Sequence, residues 1–500
     1  MDLGRTIRTI VHLKPVQIWN RIWRKRLSFT RQPQPPTSTS SLGEFEFLNV
    51  KGRPNGWNDP RFEKLWLYNL HYFDYLNNEV ELEGRGEQWK LDIVLRWIRE
   101  NPKGWGNGWE PYPISLRVVN WCKWMAKEGD GNSHKEHREH KEIGERIGEG
   151  KRIEESLREQ MRWLYPRLEY HLLANHLLAN AKALVFAGTW FLTQSRGDAE
   201  EEKQGRTWLE KGLEIYRKEL PEQTCADGVN FERSPMYHCI VLEDLLDCLE
   251  LTREPIFREY ASKMLGALEF LCGPDGRISK FNDSTEGIAK APDYLRALAK
   301  RLGVEPSRCK LDYPAVDLSG FVRQEAGTWT LLAKCGDIGP SYQPGHAHAD
   351  TFTFELWKRG RKVIGDTGCS TYVPGPIRSY ERSTAAHNTV VIDGKNSSEV
   401  WAAHRVGRRF DYGRHRRRFE LTAAGLRGVD EVFGSGMHDL EVRFHLPPGV
   451  SRDEVRIGCK GELSWEACDF SEGWNLRKPG MCAIFRLRTQ LPTTIDWTVS

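Results

Sequence analysis

No run of apolar residues in this 500-residue chain approaches the roughly 20 in succession that a bilayer-spanning helix needs, so no membrane span is expected. An excess of one charge is missing as well. With 73 basic and 69 acidic residues the formal charge is +4, too balanced to demand a polyanion over the whole surface, so any anion site must be local. The eleven cysteines are an odd number, scattered from Cys122 to Cys482 without a C-x-x-C pair. That excludes a zinc knuckle or thioredoxin-like dithiol and indicates no disulfide framework. The N-terminus, MDLGRTIRTIVHLKPVQIWNRIWRKRL, lacks an uninterrupted apolar stretch followed by a small-residue cleavage site, so it carries no clear secretion signal. Its Ile7, Ile10, Val11 and Leu13 alternate with arginines, a pattern shared by amphipathic surface helices and by a first helix docked on a domain; the docked helix is the expectation.

What is present describes a globular protein: 39% hydrophobic and 28% charged residues, over a length at which two domains are the default. Three segments are expected. Residues 1–43 form a basic arm and a linker, Gln32–Ser41 being rich in Pro, Ser and Thr. From Glu44 to Arg301 apolar residues return at helical spacing, as in Trp66, Leu67, Leu70, Phe73 and Leu76, which predicts an all-helical domain over 44–312. The Gly-, Glu-, Lys- and His-rich run Lys127–Arg152 is too polar for a core and reads as a mobile loop, its His134, His137 and His140 as a solvated face rather than a metal tract. After Pro314 short β-branched and aromatic runs take over, including Trp329–Ala333, Thr351–Trp357, Thr389–Ile392 and Glu441–Leu446. Strands at such intervals without helices between them predict an antiparallel β-sandwich over 313–500.

Three clusters carry residues suited to chemistry. In Tyr170–Asn180 the apolar helical pattern is interrupted by Asn175 and His176, which must find partners or face a cleft. In Asp227–His238, Arg233 offers a planar fork for a carboxylate or sulfate, and Tyr237 a proton if nearby cations lower its pKa. Gly345-His-Ala-His-Ala-Asp350 is read as the opening of a strand, so that His346, His348 and Asp350 would share a face. With Asp366 and His387 downstream, His348 has the N/N/O donors of a divalent-ion site such as zinc.

The motifs N-H-x-L-x-N, D-G-x-N-x-E-x-S-x-x-Y-H, F-N-D-S, G-H-A-H-A-D-T-F, G-D-T-G and H-N-T-V-x-I-D-G follow one another between Asn69 and the C-terminus, and in this order they resemble the heparinase II/III family. The resemblance implies a multidomain α-then-β fold, an incomplete (α/α) toroid followed by an antiparallel β-sandwich. It implies a polysaccharide lyase in which Asn175 neutralises the substrate carboxylate and Tyr237 and His346 act as base and acid. His176, Arg233 and Glu232 would bind substrate, and His348, Asp366 and His387 would hold a structural divalent metal, zinc being expected, with no organic cofactor. The unmarked N-terminus and basic arm resemble variants from bacterial surface-polysaccharide clusters more than secreted members. The implied compartment is thus the cell envelope or periplasm, with the cytoplasm left open.

The expected partner is an acidic polysaccharide; the basic run Arg405–Arg418 is short and lacks a recognition-helix pattern, so nucleic acid is not expected. Two other classes stay open. An inverting glycoside hydrolase on a helical toroid would draw two carboxylates from Glu232, Asp283 and Glu286. A non-catalytic glycan-binding or assembly protein would use Trp105, Trp109, Trp121 and Trp124 as stacking platforms, although such residues are more often core.

Overall fold

The computed structural model describes residues 12–27, 41–78, 86–131, 140–195, 197–307, 319–401, 405–406 and 414–500. The proposed linker, the domain boundary at 312/313, His134 and His137 lie outside them. Of the described residues, 13–219 with 250–253 make one compact unit and His12, 220–249 and 254–500 the other.

The first unit opens with α1 (Pro15–Leu27) and a hairpin, β1 (Phe45–Phe47) and β2 (Val50–Gly52), which interrupts the all-helical half expected from residue 44. Its two-residue turn places Leu48 and Asn49 in the left-handed region (φ 56° and 59°), the twist that closes antiparallel strands. Then come α2 (Lys64–Tyr72), α3 (Glu87–Glu100), α4 (Pro111–Gly131), α5 (His140–Leu164), α6 (Ala174–Gln194) and α7 (Ala199–Gln223). The polar run expected as a loop is helical at both ends, because Glu, Lys and Arg are good helix formers even where no core attracts them. The core of this unit is aromatic: Trp97 and Trp121 are fully buried, with Trp109 and Trp124 nearly so; the core reading holds for Trp109, Trp121 and Trp124, while Trp105 is only half-buried. Arg117, also fully buried, lies 3.8 Å above the Trp97 ring and donates to Gln160 Oε1 and Gly108 O at 2.8 Å each. A buried guanidinium without a carboxylate is tolerable only because its donors are met this way.

The second unit takes in α8 (Pro235–Thr252) up to Leu249, α9 (Pro255–Leu271), α10 (Pro292–Arg301) and the strands. One sheet has the order β3 (Phe321–Ala326), β4 (Trp329–Lys334), β5 (Phe354–Lys358), β6 (Arg361–Ile364). β8 (Val400–Trp401) pairs with β9 (Arg405–Val406), and the other large sheet runs β10 (Arg414–Thr422), β11 (Gly425–Leu446), β14 (Leu476–Val499), β12 (Ile457–Cys459), with β7 (Val390–Ile392) on β11 and β13 (Glu462–Gly473) on β14. All pairings are antiparallel. Leu331, Phe354, Leu356, Val442, Phe444, Phe485 and Trp497 fill the space between the sheets, Phe354 lying flat on Trp497 at 5.3 Å. The basic run ends in β10, where pleating sends Arg417 inward onto Asp430 while Arg416 and Arg418 face Glu431 outside.

Residues 220–301 are helical in texture yet fold with the strands. Asp227 Oδ2 accepts from Ser319 N and Oγ at 2.9 and 2.6 Å, and Thr285 and Ser471 pair at 2.7 Å. Val229, Leu271 and Phe281 join Phe321, Leu332 and Trp357 in one apolar cluster. Long-range packing thus draws the division to residue 219, well before the point where the sequence changes from helical to strand spacing.

Candidate active site

Tyr237 owes its position to a helix start written in the sequence. Ser234 caps α8, its Oγ accepting the Tyr237 N–H at 3.2 Å, and Pro235 occupies the first helical position. Tyr237 is therefore held in the first turn. The preceding loop turns at Gly228 (φ +83°), where a Cβ would come within 2.4 Å of Lys263 O, and at Arg233, a non-glycine residue at φ 55°. Such strain persists only where the surroundings impose it, and it collects at functional sites.

His346 does not lie in a strand. Gly345–Asp350 is an irregular loop, and β5 starts only at Phe354. The loop is fastened from outside: Asp283 N donates to His346 O, His348 N to Asn282 Oδ1, and Ala349 N to Arg382 O, each at 3.0 Å. These bonds replace a ladder, so alternation does not decide which side chains share a face. The F-N-D-S motif at 281–284 serves as the clasp.

The His346 ring stacks on Tyr237 with centroids 3.8 Å apart and planes 16° off parallel. On its far side His346 Nδ1 meets Glu232 Oε2 at 2.5 Å. A carboxylate there requires the proton on Nδ1 and leaves Nε2 for exchange. Glu232, 2% exposed, thus addresses the histidine rather than an open surface. Arg233 is half-buried with its Nε unpartnered.

Tyr372, Arg378 and Asp283 complete this cluster. Tyr372 Oη lies 3.1 Å from Tyr237 Oη. The Arg378 guanidinium sits 4.9 Å from the Tyr372 ring and grips both oxygens of Asp283, at 2.5 and 2.8 Å. Burial pushes the Tyr372 hydroxyl well above its ordinary pKa. Burial alone would raise the Asp283 carboxyl too, but Arg378 and His348 hold it well below the carboxylate range. No spacing rule singled out Tyr372 or Arg378, since Tyr372 lies in the irregular stretch after G-D-T-G and Arg378 in a helix of only six residues, Pro376–Glu381.

His348 Nε2 contacts Asp283 Oδ1 at 2.8 Å, and its ring lies 5.4 Å from that of His387, whose Nδ1 contacts Asp366 Oδ2 at 2.9 Å. These three expected metal residues are brought together, and His348 Nδ1 and His387 Nε2 are buried without a hydrogen-bond partner. Asp366, however, is spent on orienting His387 and on Thr353 and Gly368. Among the described residues no three His, Cys, Asp or Glu side chains form a group arranged to hold a metal.

Asn175 and His176 belong to the other compact unit. The segment before them is not helical: α6 begins at Ala174, where Leu173 and Ala174 have φ 62° and 50°. Asn175 therefore sits in the first turn, its Oδ1 buried and unpartnered. His176 packs against Tyr112, centroids 4.6 Å apart, and lies 3.2 Å from Glu169. Asn180 is structural, accepting from Glu169 N at 2.7 Å and donating to Ser115 Oγ at 2.9 Å.

The family described as Heparinase II/III N-terminus matches residues 155–313, and the one described as Heparinase II/III-like, C-terminal, matches 310–414. A heparin-sulfate lyase of Bacteroides stercoris is 24% identical over 366 residues, 63% of this chain and 53% of that protein. One from Pedobacter heparinus is 27% identical over 261 residues, 46% of this chain and 38% of that protein. The chain thus spans about half the length, or less, of these relatives. Among solved structures, a crystal structure of heparinase III superposes with a TM-score of 0.68 at 17% identity, covering 89% of this chain and 80% of the other. The heparan sulfate lyase HepC of Pedobacter heparinus gives 0.57 at 17% identity, covering 97% and 88%. The likeness shows the fold: a helical toroid followed by an antiparallel β-sandwich.

Proposed function

Because the chain belongs to the heparinase II/III family, we propose that it is a polysaccharide lyase cleaving acidic, uronate-containing glycans by β-elimination. In that reaction a base takes the uronate C5 proton, a C4–C5 double bond forms, and the C4–O4 bond breaks with its electron pair passing to O4, which is then protonated. The observation that carries the reading is the stack of His346 on Tyr237, backed by Glu232: two groups able to exchange protons, one with its tautomer imposed. Tyr237 and His346 divide the base and acid roles. Glu232 positions His346, and Arg233 is the group suited to an acidic substituent.

A carbanion beside an ionised carboxylate is very unfavourable until that charge is met by donors that strengthen as it develops. Asn175 suits this task because its side-chain amide can donate from the first turn of α6, at a helix N-terminus where N–H groups favour anions. Asn175→Ala should lower turnover on the order of 10²–10³-fold, as for a lost oxyanion donor; an unchanged rate in a steady-state assay would make Asn175 structural. The reaction itself is tested by a screen of uronate polysaccharides read for ultraviolet-absorbing unsaturated ends. Cleavage yielding only saturated ends would favour a hydrolase, against which stands the commitment of Glu232 to His346 and of Asp283 to Arg378 and His348.

A divalent ion, zinc by donor type, would be held by His348 Nδ1 and His387 Nε2, with Asp366 orienting His387. Its contribution would be to stiffen the loop that carries His346. Chelation should then lower the melting temperature, since an ion bound only to the folded state stabilises it by mass action. His348→Ala should give a metal-poor, less stable protein that still turns over at low temperature, whereas His346→Ala should keep metal and stability and lose activity. A wild type without metal by elemental analysis would remove the ion from this reading.

A further inference from the structure

Helix α1 turns its apolar side outward. Ile18, Trp19, Ile22 and Trp23, related by four-residue steps and so lying on one face, are 38%, 66%, 52% and 43% exposed, while Gln17 is fully buried. Gln17 is accounted for locally: its Oε1 accepts the Lys14 N–H at 2.9 Å, the reach-back of a capping box with Pro15 at the first helical position. The docked first helix expected from Ile7, Ile10, Val11 and Leu13 lies, but for Leu13, outside the described residues. Among the residues whose burial is described, Trp19 and Trp23 are the exposed tryptophans; the others there hide their indoles wholly or in large part.

Charge indicates what covers this face. Residues 1–27 hold seven basic residues and one acidic, a net +6, whereas the whole chain nets +4, so the other 473 residues net −2. The surplus falls in the stretch of sequence that holds the exposed patch, with Lys14 before the helix, Arg21 within it, and Arg24, Lys25 and Arg26 following Trp23 in sequence. Paired tryptophans with isoleucines on one face and cations close to them in sequence match the headgroup boundary of an anionic bilayer: indoles settle at that interface, isoleucine reaches the acyl region, and the cations meet the lipid phosphates. A soluble polyanion would satisfy the cations and leave the apolar side chains in water.

We infer that α1 is a docking element for the surface of an anionic lipid membrane. The test sediments the 500-residue chain with vesicles of phosphatidylcholine and phosphatidylglycerol at about 2:1, and with phosphatidylcholine alone. Wild type should partition at least about tenfold more strongly onto the anionic vesicles, and salt near 0.5 M should weaken that binding, since the Debye length falls to a few ångströms. Trp19→Ser/Trp23→Ser should bind the anionic vesicles at least about tenfold more weakly, with an unchanged melting temperature, as both side chains are exposed. Absence of wild-type binding, or equal binding by the double variant, overturns the inference. So does concentration-dependent self-association of the wild type, abolished in the variant without vesicle binding, which would assign the face to a second copy of the chain. None of these readouts uses a glycan, so their failure leaves the proposed reaction untouched.

Discussion

Tyr237→Phe should lower turnover on uronate polysaccharide between about 10²- and 10⁴-fold, the range for losing a proton-transferring group. The phenyl ring keeps the 3.8 Å stack on His346, and Ser234 still caps the helix, so the fold should barely notice. What is lost is the hydroxyl and its 3.1 Å contact with Tyr372, which as a neutral hydrogen bond is worth about 1 kcal/mol. The measurement is kcat beside a urea unfolding curve. A collapse of kcat with a nearly superimposed curve is the expected pair of results. A phenylalanine variant turning over at the wild-type rate would end the proton-transfer role of Tyr237, whatever became of its stability.

The second large effect is on stability. Asp283 is fully buried and meets two cationic or cation-capable partners, Arg378 and His348, and Arg378 itself is only 2% exposed. Asp283→Ala strands a guanidinium in a place water cannot reach, which costs roughly 3–5 kcal/mol, against less than about 1 kcal/mol for a typical exposed ion pair. The unfolding midpoint in urea should fall accordingly. Activity should drop as well, because Arg378 sits over Tyr372 and Asp283 N holds the loop at His346 O. A stability change under about 1 kcal/mol would mean that Arg378 finds another carboxylate, and that the clasp does not depend on this pair.

Much of the fold was legible in one dimension because its signals are local. Helical spacing before residue 301, strand spacing after Pro314, and the core character of Trp109, Trp121 and Trp124 all follow from periodicities that a side chain and its near neighbours impose. The cap of α8 is local too, with Ser234, Pro235 and Tyr237 within four residues. Where the sequence misled, the backbone had been captured from a distance. Gly345–Asp350 alternates like a strand, yet its hydrogen bonds go to Asn282, Asp283 and Arg382, leaving no ladder to pleat it. Leu172 and Leu173 continue an apolar helical pattern, yet α6 starts only at Ala174, with Leu173 and Ala174 both at positive φ.

The same distinction separates the residues of the site. Composition and motif order alone determined that this chain carries Asn175, Tyr237 and His346 on a helical half and a strand half, since residue identity is a property of the chain. Only the tertiary structure decided that Glu232 turns to His346, that Asp366 turns to His387, and that Tyr372 and Arg378 enter the cluster at all. The contact between Glu232 and His346 spans 114 positions, and that between Tyr237 and Tyr372 spans 135. No periodicity reaches so far: such pairs form because burying each polar group demands a partner, and the folded backbone alone determines which one is near.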